Sequence, residues 1–171
     1  LAEEATKNAV ILPFLGVLGF DVFDPQEVMP EFTADVGLKK GEKVDYAIAI
    51  DGQIQFIIEA KPLNSSLSTA QYSQLYRYFG VTDAHIAILS NGAEYWFFTD
   101  IDAANKMDEK PFFKFSLEAW DDSDLRELEK FTKAAFNIDQ VQETASALKY
   151  SRLAASYLTA QMHEPDDEFV R

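Results

Sequence analysis

Cysteine is absent from this 171-residue chain. Disulfides, thiolate metal centres and cysteine nucleophiles are therefore excluded together. Positive charge is scarce: 15 Lys and Arg stand against 29 Asp and Glu, a formal net charge of −14. The deficit is uniform, since residues 1–98 carry 6 basic and 13 acidic side chains and residues 99–171 carry 9 and 16. A chain of this sign repels phosphate, so its own nonspecific affinity for nucleic acid is expected to be weak. No apolar run reaches the length of a membrane span; the longest, Val10 to Phe20, is interrupted by Pro13, Gly16 and Gly19. Glu3 and Glu4 stand where the basic leader of a signal peptide would lie, and a cytoplasmic location is expected. There is no Gly-rich phosphate loop to cradle a nucleotide.

What is present is a globular composition, 47% hydrophobic and 13% aromatic. It suits one domain over residues 1–171, with a core at about 1–100 and a helical extension at about 117–162. The chain opens without Met and ends on Glu164-Pro165-Asp166-Asp167-Glu168, and it reads as a fragment of a longer protein.

Hydrophobic spacing organises the chain. Val10, Ile11, Phe14, Leu15 and Leu18 recur at helical intervals, predicting a helix over residues 2–18 with acidic residues in its first turn. Pro13 marks a kink or an entry point. Residues 22–36 read as extended, interrupted by Pro25 and Pro30. Val44 to Ile50 alternates, with Val44, Tyr46, Ile48 and Ile50 on one face and Asp45, Ala47 and Ala49 on the other. Asp51-Gly52 signals a hairpin, and Gln53 to Lys61 follows as a central strand ended by Pro62. A helix is predicted over Thr69 to Phe79, a strand over His85 to Leu89, a turn at Asn91-Gly92 and a strand over Glu94 to Thr99. A polar loop over residues 100–111 precedes helices at about 122–136 and 139–162. This order describes an α/β layer with a mixed sheet.

Glu59-Ala60-Lys61 puts two charged side chains at the end of an otherwise buried strand, on one face because strand side chains alternate. Burying them is costly unless they pair or hold a metal. Asp45 lies on the neighbouring strand, and the hairpin connection decides whether it faces them. A two-residue turn at Asp51-Gly52 sets Asp45 opposite Ile58, on the wrong face. A turn centred on Gly52, with Ile50 opposite Ile54, sets it opposite Glu59. A shared site therefore predicts the odd-length turn with a Gly bulge. Asp45, Glu59 and the Ala60 carbonyl would form an oxygen-only site suited to Mg²⁺ or Mn²⁺. The bland alternative is a structural Asp beside an exposed Glu/Lys pair.

Taken with their flanks, these residues resemble the PD-(D/E)XK nuclease superfamily. More narrowly, the chain is similar to the N-terminal nuclease domain of type I restriction enzyme R subunits and its stand-alone relatives. The likeness rests on Glu3-Glu4-Ala5-Thr6-Lys7, Leu18-Gly19-Phe20-Asp21-Val22-Phe23 and Glu27-Val28-Met29-Pro30-Glu31-Phe32. It continues through Gly41-Glu42-Lys43-Val44-Asp45-Tyr46-Ala47-Ile48, Ile57-Ile58-Glu59-Ala60-Lys61 and Gln74-Leu75-Tyr76-Arg77-Tyr78.

The resemblance implies a restriction-endonuclease-like fold, a central mixed β-sheet flanked by helices, with extra C-terminal helices. It implies Mg²⁺- or Mn²⁺-dependent cleavage of DNA phosphodiesters in a restriction or prophage-defence setting. Asp45 and Glu59 would be metal ligands and Lys61 the catalytic lysine. Gln74 and Tyr78 would line the site from one helix face, and an acidic residue of the first helix, Glu3 or Glu4, would complete it. DNA would be delivered by another domain or subunit, with no membrane partner.

Other residues carry less. Lys39, Lys40 and Lys43 form the basic cluster and read as a solvated turn or a DNA contact. His85 and His163 are too scattered for a metal site. Trp96-Phe97-Phe98 reads as core more readily than as a base-stacking platform. Two other classes remain open: an inactive nuclease-fold module, and an acidic interaction domain whose strand-end charges are structural.

Overall fold

The computed structural model describes residues 1–34 and 42–168. Six strands form one mixed sheet whose spatial order is their chain order. They are β1 (Val28–Phe32), β2 (Val44–Ile50), β3 (Gln53–Ala60), β4 (Ile86–Ser90), β5 (Glu94–Phe98) and β6 (Phe113–Ser116). Only β3 and β4 run parallel, and the segment between them contains a short 3₁₀ turn (Thr69–Gln71) and helix α3 (Ser73–Val81). A parallel pair needs such a long crossover, whereas the antiparallel neighbours do not. The restriction-endonuclease-like α/β class read from the sequence is the class observed.

The first helix is a single rod in three parts: α1 (Glu3–Thr6), a π-helical turn (Lys7–Ile11) and α2 (Leu12–Val17). Pro13 explains the middle part. A helix-interior proline lacks an N–H and crowds the carbonyl four residues back. The widened turn takes that strain, with the Leu12 N–H reaching back five residues to the Lys7 carbonyl. Towards the C-terminus α4 (Asp122–Glu129) and α5 (Ile138–His163) follow. No described helix is long and apolar enough to cross a membrane.

Two apolar layers close on the sheet. On one face Tyr46, Ile48, Phe56, Ile58, Ile86, Ile88 and Phe97 pack with Ile11, Phe14 and Leu15 of the first helix and with Phe131, Val141 and Ala145. On the other, Val44, Ala47, Ile57, Ala87 and Leu89 pack with Leu75, Tyr78 and Phe79 of α3. Val44 thus joins Ala47 rather than Tyr46, against strict alternation. Residues 22–27 form turns instead of extended chain, and the helix expected to 136 ends at Glu129. Strand β6 went unread in the sequence, although Phe113 and Phe115 turn inward and Lys114 outward as alternation requires.

The hairpin between β2 and β3 corrects the expected turn. Ile50 pairs with Gln53, so the connection is the two-residue Asp51-Gly52 turn, with φ of 52° and 77°. Positive φ at both positions is the geometry that Asp-Gly favours in hairpins. The bulge lies further along: Ala49 pairs with Ile54 and Ile48 with Phe56, which leaves Gln55 as the extra residue. Beyond it Tyr46 pairs with Ile58. Asp45 therefore continues to the position opposite Glu59.

Gly92 locks the sheet to the first helix. It sits at φ +86°, and a Cβ there would lie 2.9 Å from Thr6 Cγ2 and 3.3 Å from Val10 Cγ1. Thr6 also accepts the Leu63 N–H at 3.1 Å, tying the helix to the chain just past Lys61. Gly92→Ala meets both a left-handed backbone and a tight helix contact, and is expected to cost about 2 kcal/mol or more. A urea titration reads this as a lowered midpoint at unchanged slope.

Candidate active site

Strand pairing brings three carboxylates into line. Pro30 pairs with Tyr46 and Phe32 with Val44, so Glu31 on β1 stands opposite Asp45, which in turn stands opposite Glu59. Like charges at opposed strand positions are destabilising unless something lies between them. On the β1 side that something is Lys7, whose Nζ is 2.9 Å from Asp45 Oδ1 and 3.3 Å from Glu31 Oε1, and also pairs with Glu4. Lys7 is only 4% exposed. Burial alone would push its pKa down, but hydrogen bonds to Glu4 and Asp45 and their charges outweigh it and raise it. It is a permanent cation.

Asp45 is fixed through both oxygens. Oδ1 accepts from Lys7, and Oδ2 accepts from the Ala60 N–H at 2.7 Å. Glu31 owes its reach to its backbone, which takes φ 52°, a conformation non-glycine residues seldom adopt. Neither Lys7 nor Glu31 was picked out by sequence reasoning. The available signals were a lysine one turn past Glu3-Glu4 and an acidic residue after Pro30 in an edge strand.

Glu59 and Lys61 form the other half. Lys61 Nζ donates to Glu59 Oε1 at 2.9 Å, while Glu59 Oε2 is buried and has no partner among the described residues. Burial is the main reason the Glu59 pKa rises from 4.5 to about 7; the Asp45 charge adds to it, and Lys61 only partly opposes it. The Glu3 charge also raises it. Of the two candidates on the first helix, Glu3 thus acts on Glu59 electrostatically, whereas Glu4 is spent on Lys7.

Gln74 and Tyr78 lie on α3, one turn apart, and their side chains bond the backbone leading into β2, Tyr78 meeting the Ala34 backbone as well. Gln74 Nε2 donates to the Lys43 carbonyl and the Tyr78 hydroxyl to the Glu42 carbonyl. Arg77 pairs with the Glu42 side chain. Tyr78 is fully buried; burial raises its pKa first of all, with the Glu59 charge among the smaller causes. The helix therefore clamps residues 42 and 43 immediately ahead of Asp45 and lies close enough for Tyr78 to feel Glu59.

Of the basic cluster, Lys43 pairs with Glu31, and Lys39 and Lys40 lie outside the described residues. His85 is half-buried just ahead of β4, and His163 is exposed at the end of α5. Phe97 and Phe98 are core residues, and Trp96 carries the Lys114 ammonium 3.9 Å from its ring centroid.

The donor set accommodates a hard divalent cation in part. Glu59 Oε2 is a buried carboxylate oxygen with no partner among the described residues, beside Asp45 and the Ala60 segment, and oxygen donors of this kind suit Mg²⁺ or Mn²⁺. Among the described residues no three His, Asp or Glu side chains converge as a metal cluster. The fit rests on two carboxylates and backbone.

The raised Glu59 pKa has a stability consequence. The unfolded carboxyl ionises near 4.5 and the folded one near 7, so the folded state holds the extra proton and loses stability as pH rises between these values. Over that window wild type is expected to lose up to about 3 kcal/mol relative to Glu59→Gln. Paired urea melts at pH 4.5 and 8 measure it, and a pH-independent difference between the two proteins would contradict the shift.

A family model described as the type I restriction enzyme R protein N terminus matches residues 1–106. No curated protein matches the chain, and no solved structure does.

Proposed function

The chain belongs to the type I restriction enzyme R protein N-terminus family, and from that premise we propose that it is a Mg²⁺- or Mn²⁺-dependent endodeoxyribonuclease domain. One observation carries this reading. The Gln55 bulge sets Asp45 opposite Glu59, and Glu59 keeps a buried oxygen without a partner among the described residues, next to the Lys61 ammonium.

Asp45 and Glu59, with the Ala60 carbonyl, would hold the ion. A bound divalent cation supplies Lewis acidity and an acidified water. Lys61, a partly exposed ammonium at the strand end, would hold the attacking water and offset charge developing on the phosphate. Glu3 is positioned to add negative charge near Glu59. Gln74 and Tyr78 act through the backbone they clamp, keeping the β2 entry and hence Asp45 in register.

DNA is the proposed substrate, brought by another domain or subunit. Every described Lys and Arg in residues 1–98 is engaged with a carboxylate: Lys7, Lys43, Lys61 and Arg77. Little positive charge is left here to grip phosphates. The same fact favours a second reading, a nuclease fold retained for binding without cleavage.

Cleavage of supercoiled DNA in Mg²⁺ or Mn²⁺, with the DNA-delivering partner present, separates the two. Asp45→Ala and Lys61→Ala are each expected to lower the rate by about 100-fold or more. Metal-dependent cleavage that survives both substitutions would sink the nuclease assignment.

A further inference from the structure

We propose that Lys7 is a built-in competitor for the divalent-cation site, an internal ammonium that occupies Asp45 until the metal takes its place. The proposal rests on the metal-site reading above and concerns which of this chain's residues must move for that site to fill.

The geometry is specific. Lys7 is nearly inaccessible, and its Nζ reaches carboxylates from three separate segments: Glu4 of the first helix, Glu31 of β1 and Asp45 of β2. A lysine is rarely buried without such pairing. It occupies Asp45 Oδ1, while the Ala60 N–H takes one lone pair of Oδ2. A cation ligated through Oδ1 must share that oxygen with an ammonium or replace it there, and one ligated through Oδ2 still lies beside the ammonium; like charges at such distances repel strongly in a poorly solvated site.

Lys7 has somewhere to go. Glu4 is exposed and Glu31 is partly exposed, so both can follow the ammonium outwards. A cleft of about 410 Å³, lined by Glu4, Lys7, Asn8, Phe23, Glu31 and Asp45, opens on that side. Lys7 also begins the π-helical turn, a segment type that recurs at functional sites.

Lys7 is thus a positioning residue. It holds Asp45 in its strand-end orientation while the site is empty and sets a threshold of metal concentration for filling it.

The test is calorimetric titration of Mn²⁺ and Mg²⁺ into the folded domain without DNA, comparing wild type, Lys7→Gln and Lys7→Arg. Lys7→Gln is expected to bind at least about tenfold more tightly than wild type, since a like charge beside the ion is gone, and Lys7→Arg to remain as weak as wild type. Side-chain ammonium NMR adds a readout taken on the wild-type protein itself. The Lys7 resonance, assigned by its loss in Lys7→Arg, should shift with Mg²⁺ and saturate with the calorimetric curve. Wild type that binds metal with an unmoved Lys7 resonance, or Lys7→Gln that binds no more tightly, overturns the competitor role and leaves the metal site standing. Absence of binding in all three proteins overturns both.

Discussion

One unpaired residue, Gln55, sets the geometry on which the site depends. The Asp51-Gly52 turn is fixed at two residues by its backbone preference, and carried straight on it would oppose Asp45 to Ile58. The apolar residues of β3 do not allow that register. Ile54 packs towards α3 with Ile57, while Phe56 and Ile58 pack towards the first helix. Ile54 and Ile57 are three apart, so sharing a face requires one extra residue between them. The bulge reconciles the turn with the core, and Asp45 opposite Glu59 follows from it. Core packing, rather than any attraction between the charged residues, brings the two carboxylates together.

This is also why the bulge could not be placed from the sequence. Phe56-Ile57-Ile58 is apolar on both faces, and a strand buried on both sides carries no alternation from which to date a phase shift. The need for an odd residue was legible; its location was not. Elements with strong local signals were read correctly: the first helix, β2, β3 and the β4–β5 hairpin at Asn91-Gly92. Strand β6 was lost because four residues are too few to show a period. The early end of α4 follows from Phe131, which leaves the helical path to pack within the aromatic core, stacked on Phe113 and tilted against Phe97.

Within the site, residues carried by motif and residues supplied by tertiary folding divide cleanly. Asp45, Glu59 and Lys61 lie within one hairpin, so strand geometry relates them once the bulge has set the register. Lys7 and Glu31 come from a helix and an edge strand 24 residues apart, and no local pattern announces a contact at that separation. Gln74 and Tyr78 show a milder form of the same limit. Their spacing placed them on one helix face, but only the fold reveals that their hydrogen bonds go to the chain before Asp45.

The row of Glu31, Asp45 and Glu59 across three adjacent strands explains why a lysine should be buried here at all. Three carboxylates at opposed strand positions would repel one another and resist folding. The two outer pairs are met differently. Lys7 screens Asp45 from Glu31, while Glu59 is relieved by Lys61 on one oxygen and by a pKa raised to about 7. The interior is thus left short of positive charge at Glu59 Oε2 and supplied with it at Asp45 Oδ1. The tethered ammonium of Lys7 lets three aligned carboxylates fold together. On the proposed metal-site reading, a divalent ion would have to displace that same ammonium, so the electrostatic requirement of folding and the proposed threshold for metal entry would be one interaction, centred on Lys7.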